Sequence, residues 1–153
     1  MKIGIVDTTF SRIDMGRIAI DELKNYAGVK YVRRTVPGIK DIPVEAKKLI
    51  EEENCDIVVT LGWVGRAEKD ALSYIALSVG KIIAELMTNK HIIDVTIHED
   101  EAEDEKTLLR VAENRVREHV RNAIDLVRNP ERLTKHAGTG QRQGYEDIGP
   151  ILK

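Results

Sequence analysis

The fold is decided by the stretch DIVVTLGWVGR (residues 56–66) and the apolar pattern that follows it. A short run of β-branched and apolar residues that ends at a glycine is typical of a buried strand, here predicted over 56–61. The next apolar positions have helical spacing and form a stripe broad enough to face more than one neighbour: Leu72, Ile75, Ala76, Val79, Ile82, Ile83 and Leu86. A strand followed by such a helix is the repeating unit of a parallel sheet.

The same strand–helix unit occurs along the rest of the chain. Strands are predicted at 2–6, 29–36 and 91–97, and helices begin after Asp14, at Pro43 and near Glu103. This βα alternation predicts an α/β protein, a three-layer αβα sandwich around a four-stranded parallel sheet. We expect a single domain over 1–153, with an α/β core at 1–128 and a Gly-rich tail at 129–153 that is mobile or draped over a partner.

The composition argues against several classes of partner. The 153 residues include 24 Lys and Arg against 26 Asp and Glu, a net charge of −2, so no positive field is present to hold nucleic acid or an anionic membrane. No apolar run is expected to approach the roughly 20 residues that cross a bilayer. A single cysteine excludes an internal disulfide. The apolar run at the start of the chain is interrupted by Asp7 and is too short for the apolar region of a signal peptide. We therefore predict a cytoplasmic protein without nucleic-acid or membrane partners.

Ligands of parallel α/β sheets bind outside the carboxyl ends of the strands, which here are the loops 7–13, 36–41 and 62–70 and the turn 98–102. Phe10 and Trp63 directly follow predicted strands in a chain that is only 4% aromatic. Such rings can stack on a planar heterocycle, or they can pack against a neighbouring loop or subunit. The positions alone leave both readings open.

Polar groups in the same loops suggest proton transfer and polyol binding. The turn VPGIKD (36–41) offers backbone N–H groups and the Asp41 carboxylate to a sugar alcohol, or it is a plain turn with Asp41 near a helix N-cap. The charged groups at 68–70 and 98–101 can carry protons or hold a hard cation, or they can be solvated helix starts. The sequence contains no metal-spaced histidine pair, P-loop or GxGxxG fingerprint.

Three motifs in this order and spacing resemble the lumazine synthase superfamily: VDTTFSR (6–12), TVPGIKDIP (35–43) and LGWVGR (61–66). Together with EKD (68–70) and HEDEA (98–102), the residues of these motifs are similar to those of the archaeal-type riboflavin synthases. The resemblance covers about residues 1–128 and implies a flavodoxin-like, lumazine-synthase-like fold.

The departures from lumazine synthase favour the riboflavin synthase branch. Lumazine synthases typically have small and hydroxyl residues before a catalytic histidine in the third loop, where this chain has AEKD (67–70) and then Ala71. Acids there repel the phosphate dianion of a sugar phosphate. The resemblance then implies dismutation of two molecules of 6,7-dimethyl-8-ribityllumazine to riboflavin and 5-amino-6-ribitylaminouracil. A lumazine synthase using dihydroxybutanone phosphate, or a flavin- or lumazine-binding protein without turnover, are the alternatives.

The resemblance also implies roles for individual residues. The candidate proton carriers are Glu68, Lys69 and His98. The candidate substrate-binding residues are Phe10 as a stacking wall, Gly38, Ile39, Lys40 and Asp41 at the ribityl chain, Trp63, Val64 and Gly65 as edge and backbone contacts, and Thr9, Glu99 and Asp100. Related enzymes are homopentamers with active sites between subunits and are helped by Mg²⁺ or Mn²⁺. The sequence names no metal ligand, although the acids beside His98 are the reasonable candidates.

Overall fold

The structure is a computed structural model that describes residues 1–151. Four strands, β1 to β4, span Lys2–Thr8, Lys30–Val36, Ile57–Val64 and Ile92–His98. Five helices, α1 to α5, span Met15–Leu23, Ile42–Glu51, Glu68–Thr88, Glu105–Arg128 and Pro130–Lys135. Single 3₁₀ turns precede α2 and α4, at Ile39–Asp41 and Glu99–Glu101.

The sheet is parallel throughout, with the strand order β2-β1-β3-β4. Helices α1 and α4 bury one face of it, and α2 and α3 cover the other. The predicted three-layer αβα sandwich with a four-stranded parallel sheet is therefore confirmed. All eight residues of the central strand β3 are buried, as expected for a strand that has helices on both sides.

The predicted helix starts are confirmed by their caps. The Asp14 carboxylate accepts a hydrogen bond from the backbone N–H of Arg17 at 3.0 Å, and the Asp104 carboxylate accepts one from Thr107 at 2.8 Å. Both caps satisfy backbone donors that have no partner inside the first helical turn.

The predicted end of β3 at Leu61 is wrong, because the strand continues to Val64. Gly62 pairs with Thr96 of β4, and a Cβ at Gly62 would lie 2.9 Å from the Thr96 hydroxyl oxygen. The glycine therefore serves the close approach of two strands and does not stop one.

The expectation that no apolar run approaches the length of a membrane span is wrong for helix α3. By length and composition alone its 21 residues can cross a bilayer, with a mean hydropathy of 1.4 over the window. The helix nevertheless packs along one side of the sheet: Lys81 Nζ donates to the Ile92 carbonyl at 3.0 Å, and the Glu85 carboxylate accepts from the Ile92 N–H at 2.8 Å. Seven large apolar side chains on its outer side are 51–78% exposed: Leu72, Ile75, Val79, Ile82, Ile83, Leu86 and Met87.

The tail contains the short helix α5 and then returns to lie over α4 of the same chain. Asn122 donates to Gln143 at 2.9 Å, and Gly144, with φ +75°, lies so close that a Cβ would stand 2.9 Å from the Arg115 Cα. The last two residues of the predicted tail, 152 and 153, lie outside the described residues.

Candidate active site

The three predicted loops meet at the carboxyl edge of the sheet. They enclose a cavity of about 270 Å³, which we call the ring cavity, lined by Phe10, Gly38, Ile39, Lys40, Asp41, Trp63, Asp70 and Ser73. Strands β2, β1 and β3 are neighbours, so the segments that follow them are brought together by the strand order. The structure thus places six of the predicted substrate-binding residues around one cavity.

Phe10 is the exposed wall of the ring cavity. Its side chain is 52% exposed, and its Cζ lies 3.5 Å from where a Cβ of Gly65 would stand. Thr9 does not line the cavity; its N–H donates to the Val36 carbonyl at 2.9 Å and its hydroxyl to the Pro37 carbonyl at 3.2 Å. Thr9 therefore ties the loop that carries Phe10 to the loop that follows β2.

A partly buried ion pair holds the start of the same loop. The Asp7 carboxylate, at the end of β1, accepts from Arg33 Nε at 3.1 Å and from the Thr35 hydroxyl at 2.7 Å. Arg33 also donates to the Asp14 carboxylate at 2.6 Å, so one guanidinium joins both ends of the loop. Burial opposes ionisation of Arg33, but the hydrogen bonds and charges of the two aspartates outweigh it and raise its pKa.

The turn after β2 serves as a helix entry and as a cavity wall. The Gly38 N–H donates to the Asp41 carboxylate at 3.2 Å, and the Asp41 N–H donates back to the Gly38 carbonyl at 3.1 Å. Ile39 is buried, whereas Lys40 and Asp41 are exposed at the cavity mouth. Both readings of this segment are therefore compatible, since the carboxylate that closes the turn also faces the cavity.

Trp63 is not the loop aromatic that the sequence predicts. Because β3 continues to Val64, Trp63 lies inside the strand and is 1% exposed. Its Nε1 donates to the Glu99 carboxylate at 2.9 Å, and Glu99 in turn lies 3.7 Å from the Arg12 guanidinium. Trp63 still lines the ring cavity, but as a fixed inner wall. Val64 is buried among the core residues between the sheet and α2–α3 and lines no part of this cavity.

The first turn of α3 presents a different acid from the predicted one. Glu68 and Lys69 are exposed and do not line the ring cavity, whereas Asp70 and Ser73 do. Gly65 makes room for this arrangement, because a Cβ there would overlap the Asp70 carboxylate. The EKD motif indicated this carboxylate only as one member of a charged helix entry.

His98 lies in a second and larger cavity of about 700 Å³ between β4, α3, α4 and the tail, which we call the tail cavity. Its ring meets that of Tyr74 edge to face, with 5.0 Å between the centroids. Asp94, on the same strand, accepts from the Thr96 hydroxyl at 2.8 Å, and burial raises the pKa of its carboxyl. Asp100 is exposed and lines neither cavity.

The tail cavity contains a buried ion pair that the sequence reading missed. Arg115 is 5% exposed and donates to Glu101 at 2.8 Å and to the Thr96 carbonyl at 3.0 Å. Burial of Glu101 raises its pKa, but the hydrogen bonds from Arg115 and from the His98 N–H outweigh this and lower it overall. A sequence signal exists, because Arg115 and His119 stand at core-facing positions of α4.

A metal-binding cluster is not found in the part of the chain that the structure describes. Among residues 1–151, no three His, Cys, Asp or Glu side chains are grouped so that they could hold an ion. Two of the three acids after His98 have other partners: Glu99 accepts from Trp63, and Glu101 pairs with Arg115, whereas Asp100 is exposed.

Comparison with known proteins agrees with this geometry. The model of the 6,7-dimethyl-8-ribityllumazine synthase family matches residues 1–131. The chain belongs to this family. A protein of Archaeoglobus fulgidus named riboflavin synthase is 74% identical over 153 residues, which is 100% of both chains. One of Aeropyrum pernix with the same name is 53% identical over 151 residues, 97% of each chain.

Within the lumazine synthase family, similarity to proteins named for the other reaction is shorter. A 6,7-dimethyl-8-ribityllumazine synthase of Methanopyrus kandleri is 34% identical over 91 residues, covering 57% of this chain and 64% of its own. The motif-based prediction of an archaeal-type riboflavin synthase within this superfamily is thus confirmed. The match to the riboflavin synthases also extends beyond residue 131, through the tail that closes the tail cavity.

Proposed function

We propose that this protein catalyses riboflavin formation by dismutation of two molecules of 6,7-dimethyl-8-ribityllumazine. The observation that carries the proposal is the full-length identity of 74% to a protein named riboflavin synthase. The ring cavity is consistent with it, since an exposed aromatic wall, a polyol-binding turn and a carboxylate suit a ribityl-substituted heterocycle.

The reaction needs no oxidant, because the atoms of two lumazines equal those of riboflavin and 5-amino-6-ribitylaminouracil. The C7 methyl group of one ring loses a proton, and the resulting carbanion attacks the second ring. Two carbon–nitrogen bonds of the donor ring are later broken as its four-carbon unit is transferred. The protein holds two rings in register and moves protons between them.

We assign Phe10 the role of stacking on one ring and the turn Gly38–Asp41 that of holding a ribityl chain. The proton carriers proposed from the resemblance are Glu68, Lys69 and His98. In one subunit only Asp70 of the first α3 turn reaches the ring cavity, and His98 faces the tail cavity. We therefore add Asp70 as a proton carrier, and propose that the other three act where two subunits meet.

We further propose that the active unit is a homopentamer with sites between subunits. The support is the outer side of α3, whose seven large apolar side chains are 51–78% exposed in a single chain. Covering such a surface with a second copy removes it from water. In addition, the ring cavity of about 270 Å³ lies at the small end of typical ligand pockets, whereas the reaction needs two rings. Native mass spectrometry tests this by comparison with five times the 17.2 kDa subunit.

A divalent cation remains part of the proposal. Mg²⁺ typically binds through one or two carboxylates together with substrate, and one subunit offers no three-ligand cluster. We therefore expect weak activation by Mg²⁺ or Mn²⁺ that EDTA removes at once. Rates that are identical in EDTA and in magnesium would contradict this part.

The deciding experiment is anaerobic incubation of the purified protein with 6,7-dimethyl-8-ribityllumazine, followed by chromatography. We expect riboflavin and the pyrimidine in equal amounts. Tight binding without turnover would instead indicate a flavin- or lumazine-binding protein. Consumption of dihydroxybutanone phosphate with the pyrimidine would indicate a lumazine synthase.

A further inference from the structure

One aromatic side chain of the tail, Tyr145, contacts the charged residues around α4. The Tyr145 hydroxyl oxygen accepts a hydrogen bond from Arg115 Nη2 at 2.6 Å and donates to the Glu101 carboxylate at 3.4 Å. The Tyr145 ring also lies against two guanidinium groups, with centroid distances of 4.7 Å to Arg115 and 4.5 Å to Arg142. Charged side chains of the tail cavity are therefore the partners of Tyr145.

These contacts continue to His98 without a gap. Arg115 donates to both oxygens of Glu101, at 2.8 Å and 2.5 Å. The first of these oxygens also accepts from the backbone N–H of His98 at 2.9 Å. Arg115 and Glu101 thus connect the Tyr145 hydroxyl to the backbone N–H of His98 through hydrogen bonds.

We propose that Tyr145 is a positioning residue for the riboflavin-forming reaction, acting through Arg115 and Glu101 to fix His98 in the tail cavity. The proposal rests on the proposed function, in which His98 moves a proton. The tail residues that line the cavity beside Tyr145 (Gln141, Arg142 and Gln143) complete the enclosure around His98.

The energetics of the tail argue against a merely stabilising role. Tyr145 stays 51% exposed and Ile148 76%, so these side chains bury little apolar surface. Tyr145 instead directs its hydroxyl at Arg115 and Glu101. The Arg115 Nε is the single buried side-chain polar atom without a partner among the described residues. Ordering the tail against the Arg115–Glu101 ion pair costs conformational entropy. What this ordering provides is a fixed position for that ion pair.

The test compares Tyr145→Phe with Tyr145→Ala and uses Tyr31→Phe as the matched control. Tyr31 is a half-exposed tyrosine on β2 that lines neither cavity. Losing hydrogen bonds to charged groups should lower kcat about tenfold in Tyr145→Phe, with KM within about twofold of the wild type. The pH dependence of kcat should change in the same variant. Tyr145→Ala, which also loses the ring contacts, should lower kcat further, and Tyr31→Phe should match the wild type in all three measurements.

Tyr145→Phe with wild-type kcat, or with only a lowered melting temperature, would overturn the proposal. A readout without turnover separates this result from failure of the proposed function. The chain has four histidines, so ¹⁵N-histidine spectra follow each ring. We expect Tyr145→Phe to shift the His98 ring resonances at fixed pH and to leave those of exposed His91 unchanged. If the wild type makes no riboflavin, shifted His98 resonances still support the positioning link, whereas unshifted ones refute it.

Discussion

Replacing Phe10 by alanine tests the stacking wall of the ring cavity. The side chain is 52% exposed, so roughly 100 Å² of ring surface is available to a bound heterocycle. At about 25 cal/mol per Å² this surface contributes up to about 2.5 kcal/mol, and ring stacking alone contributes about 1 kcal/mol. We therefore expect Phe10→Ala to weaken lumazine binding between about 5-fold and 70-fold. Because the ring is half-exposed before ligand binds, the free energy of unfolding should fall by only about 1 kcal/mol.

Fluorescence titration with 6,7-dimethyl-8-ribityllumazine measures this effect directly. Phe10→Leu should recover part of the affinity, since it restores apolar area without a π face. Tyr31→Ala removes an aromatic side chain of similar exposure on β2 and should leave the dissociation constant unchanged. A dissociation constant for Phe10→Ala within twofold of the wild type would refute the assignment.

Three further predictions test other parts of the structure. Burial lowers the pKa of His119 below its ordinary 6.5. The free energy of unfolding should therefore keep its whole value above about pH 6.5 and decrease as the pH drops through the folded pKa. In thermal melts between pH 7 and pH 5, His119→Gln should remove the part of this decrease that is due to His119. Asp70→Asn should lower kcat at least about tenfold because Asp70 lines the ring cavity, and a larger effect of Glu68→Gln would show that Glu68 enters from a neighbouring subunit. Ile82→Lys on the outer side of α3 should give monomers in sedimentation, whereas Val127→Lys on α4 should not.

Most of the fold could be predicted because each element follows a local rule. Three of the four strands are short, largely apolar runs, and the helices after Asp14 and Asp104 begin at side-chain caps. The end of β3 could not be predicted in this way. A single glycine in an apolar run suggests that the strand ends there. Gly62 instead lies inside β3, where Thr96 of the neighbouring strand approaches too closely for a Cβ. That requirement comes from strand pairing and has no local signal.

The ring cavity was predictable to the extent that its residues fall in the segments after strands. Phe10 and the turn at 38–41 are such residues, and the structure brings them together. The tail cavity was not predictable, since it depends on contacts such as that of Arg115 with Tyr145, which are 30 residues apart. Hydrophobic periodicity does not report such pairs. The polar residues on the core-facing side of α4 are the only local sign of them.

The charges at the ring cavity give a physical reason for the division of the family into two reactions. Its lining contains one cation, Lys40, and two carboxylates, Asp41 and Asp70. A lumazine synthase must bind a phosphate dianion, which such an excess of negative charge repels in a partly enclosed site. Both substrates of the dismutation are ribityllumazines without a phosphate, so the same carboxylates can accept hydroxyl protons or remove one from carbon without that repulsion. We therefore expect the Asp70 carboxylate to disfavour a sugar phosphate in the ring cavity, while the contacts proposed for Phe10 and the turn after β2 carry no such penalty.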